Sequence, residues 1–141
     1  MNRGAACVAL LACAMTAWAD DLRAPDAAQI ARGRYLVQIG GCNDCHTVGY
    51  VAAGGHLSEA QSLKGSPQGY TGPWGTTYAP NLRAALAPLS ERDWLAIARL
   101  PRQPPMPWTS LQAMSDADLR AVYRFVRSLD GGLHRDSQRP R

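Results

Sequence analysis

"IGGCNDCHTVG", residues 39–49, places Cys42 and Cys45 three positions apart with His46 directly behind the second. Three chemistries use such a pair. A structural zinc site needs four ligands, usually a second Cys or His pair, yet His56 and His134, the other histidines, stand singly in polar or glycine-rich surroundings. A redox dithiol of the thioredoxin kind needs a strand before the motif and a sheet around it; here a helical pattern precedes the motif and no alternation of strands and helices follows. The third chemistry fits each feature, because two thiols add across the two vinyl groups of a haem and the next histidine ligates its iron. On one turn of helix, positions i and i+3 lie side by side and i+4 is adjacent, so both sulfurs and the imidazole would meet one edge and face of the porphyrin.

Cysteine arithmetic sharpens this. Residues 1–19, "MNRGAACVALLACAMTAWA", read as an export signal: Arg3 is the positive start, Ala5 to Met15 are apolar but too few to cross a bilayer, and Ala17-Trp18-Ala19 is a small-x-small cleavage site. Export to the periplasm with removal of this segment is expected. The alternative, lipidation at Cys13 of "LLAC", fits poorly, since leucine stands directly before the small residue. Of four cysteines, Cys7 and Cys13 then leave with the signal, and only the motif pair remains among 122 residues. A small exported domain often depends on disulfides, and two thioether bonds would staple the chain in their place.

The expected organisation is a signal peptide at 1–19, one domain at 20–131 and a basic tail at 132–141. Without Arg3, fourteen basic residues stand against eleven acidic ones, a small and scattered surplus that does not argue for nucleic acid. No segment beyond the signal reads as a membrane span.

Three helices are expected. The stretch 25–41 brings Ile30, Gly33, Leu36, Val37 and Tyr35 near one face, with Asp26 to cap and Gly40-Gly41 to stop it. Ser90 and Asp93 open a second helix through Trp94, Ile97 and Ala98 to the breaker Pro101. Ser115 and Asp118 open a third, with the stripe Leu119, Val122, Val126 and Leu129 and a stop at Gly131-Gly132. Its Leu119, Val122, Tyr123 and Val126 are expected to meet the Ile30, Gly33, Val37 face of the first helix. Residues 49–89 hold many Gly, Pro, Ser and Thr and suggest neither helix nor strand. A loop of about 40 residues is unusual in a compact domain, unless it wraps a large buried body, which a haem would supply.

The iron's sixth ligand decides function. Candidates are His56, Met106, Met114 and His134. Met114 precedes the Ser115 cap, where packing residues usually sit, His134 falls in the tail, and His56 in "AAGGHLSE" is the main rival. Met106 lies in "RQPPMPWTS", and Pro104, Pro105 and Pro107 restrict the backbone around it in a way that core filling does not require. Met106 is the favoured ligand.

"ARGRYL" (31–36), "CNDCHT" (42–47), "GTTYAPNL" (75–82), "PPMPW" (104–108) and "MSDADLRAVYRFVRSL" (114–129) together make the chain similar to class I c-type cytochromes, over about 100 residues. Among these it resembles the monohaem domains of bacterial dehydrogenase cytochrome c subunits. The resemblance implies an all-α fold, its first and last helices crossed around one covalent haem c. It implies thioethers at Cys42 and Cys45, His46 as proximal and Met106 as distal ligand, and Tyr78 and Asn81 as polar neighbours of the propionates. Those subunits usually carry several such motifs and a membrane anchor, whereas this sequence has one motif, and residues 58–75 depart from their pattern.

The expectation is a periplasmic monohaem one-electron carrier between a donor dehydrogenase or oxidoreductase and a downstream acceptor, working free or as a dehydrogenase subunit. No Ser-His-Asp set, paired carboxylates or phosphate loop suggests catalysis. The alternative is a haem c enzyme or gas or redox sensor with an open or labile sixth position.

Overall fold

The structure, a computed structural model, describes residues 26–130. The expected signal peptide, the basic tail with His134 and the Gly131-Gly132 stop lie outside the described residues. Helix α1 spans 26–39 and α2 Cys42–His46; strands β1 (Gly69–Gly72) and β2 (Gly75–Tyr78) follow, then α3 (Leu82–Leu86), α4 (Glu91–Ala98), α5 (Trp108–Ala113) and α6 (Asp116–Ser128). The described chain is mostly helical with one small antiparallel hairpin, which is compatible with a small class I cytochrome c fold.

The three expected helices form, α4 and α6 with their expected caps, whereas Asp26 is the first described residue of α1 and its carboxylate pairs with Arg124. Ser90 and Asp93 make a reciprocal capping box on α4, and Ser115 accepts from the Asp118 amide at the start of α6. Each satisfies an amide that the helix cannot. At the end of α1 the Gly40 amide reaches the Leu36 carbonyl, and Gly41, at φ 64°, turns the chain directly into α2.

Helix α1 packs on α6 at closest approach through Gly33. A methyl group built there would lie 2.0 Å from the Ala121 carbonyl oxygen and 2.7 Å from Phe125 Cβ. At Gly33 itself the nearest residues are Ala121 and Phe125, which the expected set of Leu119, Val122, Tyr123 and Val126 did not include; those four lie in one core cluster with Val37, against which Ile30 packs. The reason is that α6 has no single inner face: Leu119, Ala121, Val122, Tyr123, Phe125 and Val126 are all buried. Ala121 and Phe125 turn to α1, while the Leu119 carbonyl receives the Trp94 indole of α4 and the Tyr123 hydroxyl donates to the Leu89 carbonyl. Ion pairs Arg32–Asp118 and Arg124–Asp26 flank the α1–α6 contact on its exposed rim.

Residues 49–89 are more ordered than their composition suggests. The hairpin pairs Gly69 with Tyr78, Tyr70 with Thr77 and Thr71 with Thr76 around a turn at Pro73-Trp74. Asn81 caps α3 by accepting from the Ala84 amide. Before the hairpin, Leu63 is fully buried; its amide donates to the Thr47 hydroxyl and its carbonyl accepts from the Leu82 amide. The buried Arg83 guanidinium donates to the carbonyls of Ser62 and Glu59 and pairs with Asp130, joining this loop to the end of α6. The loop therefore has a small core of its own, built from one leucine and one arginine. Neither α3, five residues long, nor a hairpin of two four-residue strands rich in Gly and Thr is long enough to produce a periodic apolar signal.

Candidate functional site

A cavity of about 670 Å³ opens between the helices, the hairpin and the 102–106 loop, within the usual range for cofactor pockets. Its apolar wall comes from the helical side: Val37, Leu86, Trp94, Ile97, Val122 and Val126. Its polar lining comes from the hairpin and the loop: Tyr70, Thr76, Thr77, Tyr78, Arg102 and Gln103. Cys42, Cys45, His46 and Met106 all reach this same cavity.

The five-residue helix α2 delivers the first three of these. It follows α1 with only Gly40 and Gly41 between, so the helix docked on α6 also fixes where the cysteines point. Behind His46, the Gly65 amide donates to the His46 carbonyl at 2.8 Å, and Gly65 lies so close to residues 79–81 that a Cβ would stand 2.7 Å from the Asn81 nitrogen. That close approach brings the Pro80 carbonyl to 2.8 Å from His46 Nδ1. A carbonyl can only accept, so Nδ1 carries the proton and the Nε2 lone pair is left for a metal. Burial pushes the imidazole pKa below its ordinary value, and the Pro80 bond opposes this only in part. The ring is the neutral form that binds iron.

Burial also pushes the Cys42 thiol up to about 11. A redox dithiol works through a stabilised thiolate, and this environment does the opposite. Nor, among the described residues, do three His, Cys, Asp or Glu side chains gather as they would around a zinc ion. Two thiols, one tautomer-fixed imidazole and one thioether around a largely apolar cavity are the donor set of a covalently attached haem, with the sulfurs available for thioethers and His46 and Met106 for the iron. The residues fit that group.

The other candidates are dispersed. Met114 packs against the hydrophobic core, its Cε near Gly40, and does not line the cavity. His56 is exposed in the 49–58 turns, also away from the lining. Tyr78 lines the cavity while remaining largely exposed. Asn81 does not line it, and its side-chain oxygen is engaged by the Ala84 amide as the α3 cap. Several lining residues escape the sequence reading: Tyr70, whose hydroxyl pKa is raised by the neighbouring Cys45 thiol, the cationic Arg102, and Thr77, whose hydroxyl donates to the Pro104 carbonyl at 2.7 Å. A tyrosine and a threonine facing each other across a hairpin could have signalled the first and the last, had the hairpin been read.

No helix among the described residues is long and apolar enough to cross a membrane. No solved structure matches the chain. A nicotinate dehydrogenase subunit of Pseudomonas putida is 30% identical over 115 residues, which cover 72% of this chain but only 9% of that protein. The chain thus spans about a tenth of the length of this relative. The family model described as Cytochrome c matches residues 30–130, from the middle of α1 past the end of α6 and across every residue of the cavity. With that match added to the attachment motif and the cavity behind it, the chain belongs to the cytochrome c family and is a carrier of covalently bound haem c.

Proposed function

We propose that this haem-based electron carrier works in the periplasm as a monohaem one-electron shuttle, accepting from a dehydrogenase or other oxidoreductase and passing to a downstream redox protein. Haem c supplies the one-electron couple of its iron. The observation that carries the reading is that His46 and Met106 are the imidazole and thioether lining one cavity, with the two motif cysteines beside them. Cys42 and Cys45 hold the group covalently. His46, locked by Pro80, presents Nε2, and Met106 presents its sulfur from a loop stiffened by three prolines. His46 and Met106 would together hold the iron, which suits electron transfer because the same ligands would serve both oxidation states and leave no open position for substrate.

The dehydrogenase as electron donor rests on the likeness to a nicotinate dehydrogenase subunit; the substrate of that relative is not carried over, since the shared part is a small fraction of it. The periplasmic location rests on the leader-like residues 1–19. A non-catalytic role, free or as a subunit of an oxidoreductase, follows from the same axial pair.

The test is spectroscopic. Ferric protein purified from the periplasm shows the weak long-wavelength methionine-to-iron charge-transfer band, and ferrous protein binds carbon monoxide slowly. Fast binding with no such band would overturn the shuttle and support a haem enzyme or sensor with an open site.

A further inference from the structure

The segment that carries Met106 is poor in means of holding itself in place. Of residues 104–107 only Met106 has a backbone N–H, since the other three are prolines, and that N–H is used locally on the Gln103 carbonyl at 3.2 Å. The loop must therefore be held through its carbonyls. The Met106 carbonyl accepts from the Trp108 amide at 2.8 Å, a bond within the same turn. Upstream, Arg102 reaches back to the Ile97 carbonyl of α4, five residues away. Both contacts shape the loop without relating it to the far side of the cavity.

One bond does relate them. Thr77 on β2 donates to the Pro104 carbonyl across 27 positions of sequence, at 2.7 Å. Among the described residues it is the one hydrogen bond between the hairpin and the methionine loop. The Thr77 hydroxyl has a single proton, and the rival acceptor, the Tyr70 carbonyl, is 3.4 Å away, so the proton goes to Pro104. The hairpin itself is stiffened beside this point by the Thr71–Thr76 hydroxyl pair at 2.9 Å. Thr76, Thr77, Gln103, Pro105 and Met106 all line the cavity, so this bond clasps two of its walls together two residues from the thioether.

We propose that Thr77 is a positioning residue for the axial methionine: through the Pro104 carbonyl it sets how often Met106 leaves the iron, and so how readily outside ligands enter. The proposal rests on Met106 being the sixth ligand. When the clasp opens, the 103–106 turn can swing away from the hairpin while remaining attached through Arg102 and α5, which moves the sulfur without unfolding the domain. The bond is partly solvent-exposed, so its net worth is that of an ordinary hydrogen bond and not of a buried one.

The experiment uses the haem-loaded full chain as wild type, Thr77→Val, Thr77→Ser and Met106→Ala. The readouts are the rate of carbon monoxide binding to ferrous protein and the pH at which the ferric methionine charge-transfer band is lost on raising the pH. Removing one net hydrogen bond from the ligated state should speed methionine-gated entry about three- to tenfold, move the loss of the band to lower pH, and be reversed by Thr77→Ser. If Thr77→Val does not accumulate, Thr77→Ala provides the same deletion. Wild-type rates and band in the deletion, with an opened iron in Met106→Ala, overturn the role of Thr77 and leave the ligand assignment standing. Equal changes in Thr77→Val and Thr77→Ser show that shape and not the hydroxyl matters, and also overturn it. An unchanged rate and band in Met106→Ala overturn the ligand assignment, and the role of Thr77 with it.

Discussion

Gly33→Ala tests the packing on which the site is built. On an exposed helix this substitution stabilises by about 1 kcal/mol, because glycine gives up more backbone freedom than alanine. Here the added Cβ would stand 2.0 Å from the Ala121 carbonyl oxygen and 2.7 Å from Phe125 Cβ. Ordinary non-bonded contact needs roughly 3.5 Å, so α1 and α6 must separate by more than an ångström along that line, loosening Leu36, Val37, Phe125 and Val126 together. Overpacking of this kind costs about 1–3 kcal/mol, occasionally more. The first carbonyl-directed clash cannot be relieved by a rotamer change, so the upper part of that range applies, and the propensity gain leaves a net loss of about 1–2 kcal/mol. For a domain of this size the thermal midpoint should fall by roughly 4–12 °C. The assay is thermal unfolding of the haem-loaded protein followed by circular dichroism, with the exposed neighbour Ala31→Gly as control, expected to lose about 1 kcal/mol from propensity alone. A Gly33→Ala protein as stable as wild type, or more so, would refute the close helix contact.

Replacing both Cys42 and Cys45 by alanine should abolish accumulation of folded protein, since the covalent group completes the core between the apolar helices and the polar hairpin; abundant folded haem-free protein on size exclusion and circular dichroism would show that the chain does not need it. Met106→His should lower the reduction potential with haem still attached, because a soft neutral thioether favours ferrous iron more than imidazole does; redox titration reads the sign. Acid stability should depend on Asp118. Its carboxyl is held below the usual carboxylate range, first by the Arg32 guanidinium and then by the Ser115 hydroxyl, so the folded state binds the proton more weakly than the unfolded chain. That contribution is fully present above the ordinary aspartate value of about 3.9 and is lost as the pH falls through the lower folded value. Asp118→Asn should flatten this part of the acid limb in urea midpoints taken across it, and an unchanged slope would assign the acid loss to other groups.

Sequence alone determined what is local or covalent. The spacing Cys42, Cys45, His46 admits one chemistry well, because i, i+3 and i+4 share a helical face, and α2 forms as that spacing demands. The caps at Ser90 and Ser115 were legible because a side chain satisfying an amide three residues on depends on nothing distant. The three long helices were legible because each carries a repeated apolar pattern. What needed the tertiary structure was every relation between segments far apart in sequence. Which residues of α6 face Gly33 was undecidable from periodicity, since α6 is buried on several sides and its stripe does not distinguish the neighbour on each. The hairpin and α3 are too short to declare themselves, and exist because Leu63, Arg83 and the Gly65 contact hold their ends. Asn81 has a second role that its motif did not declare: its oxygen caps α3 by accepting from the Ala84 amide. Met106 was suggested by its prolines, but only the folded chain brings it into the cavity of His46, 60 residues away in sequence. The Pro80 and Pro104 carbonyls, which orient His46 and anchor the methionine loop, are backbone groups common to every residue type, so no sequence pattern could have marked them; position in the fold alone gives them their roles.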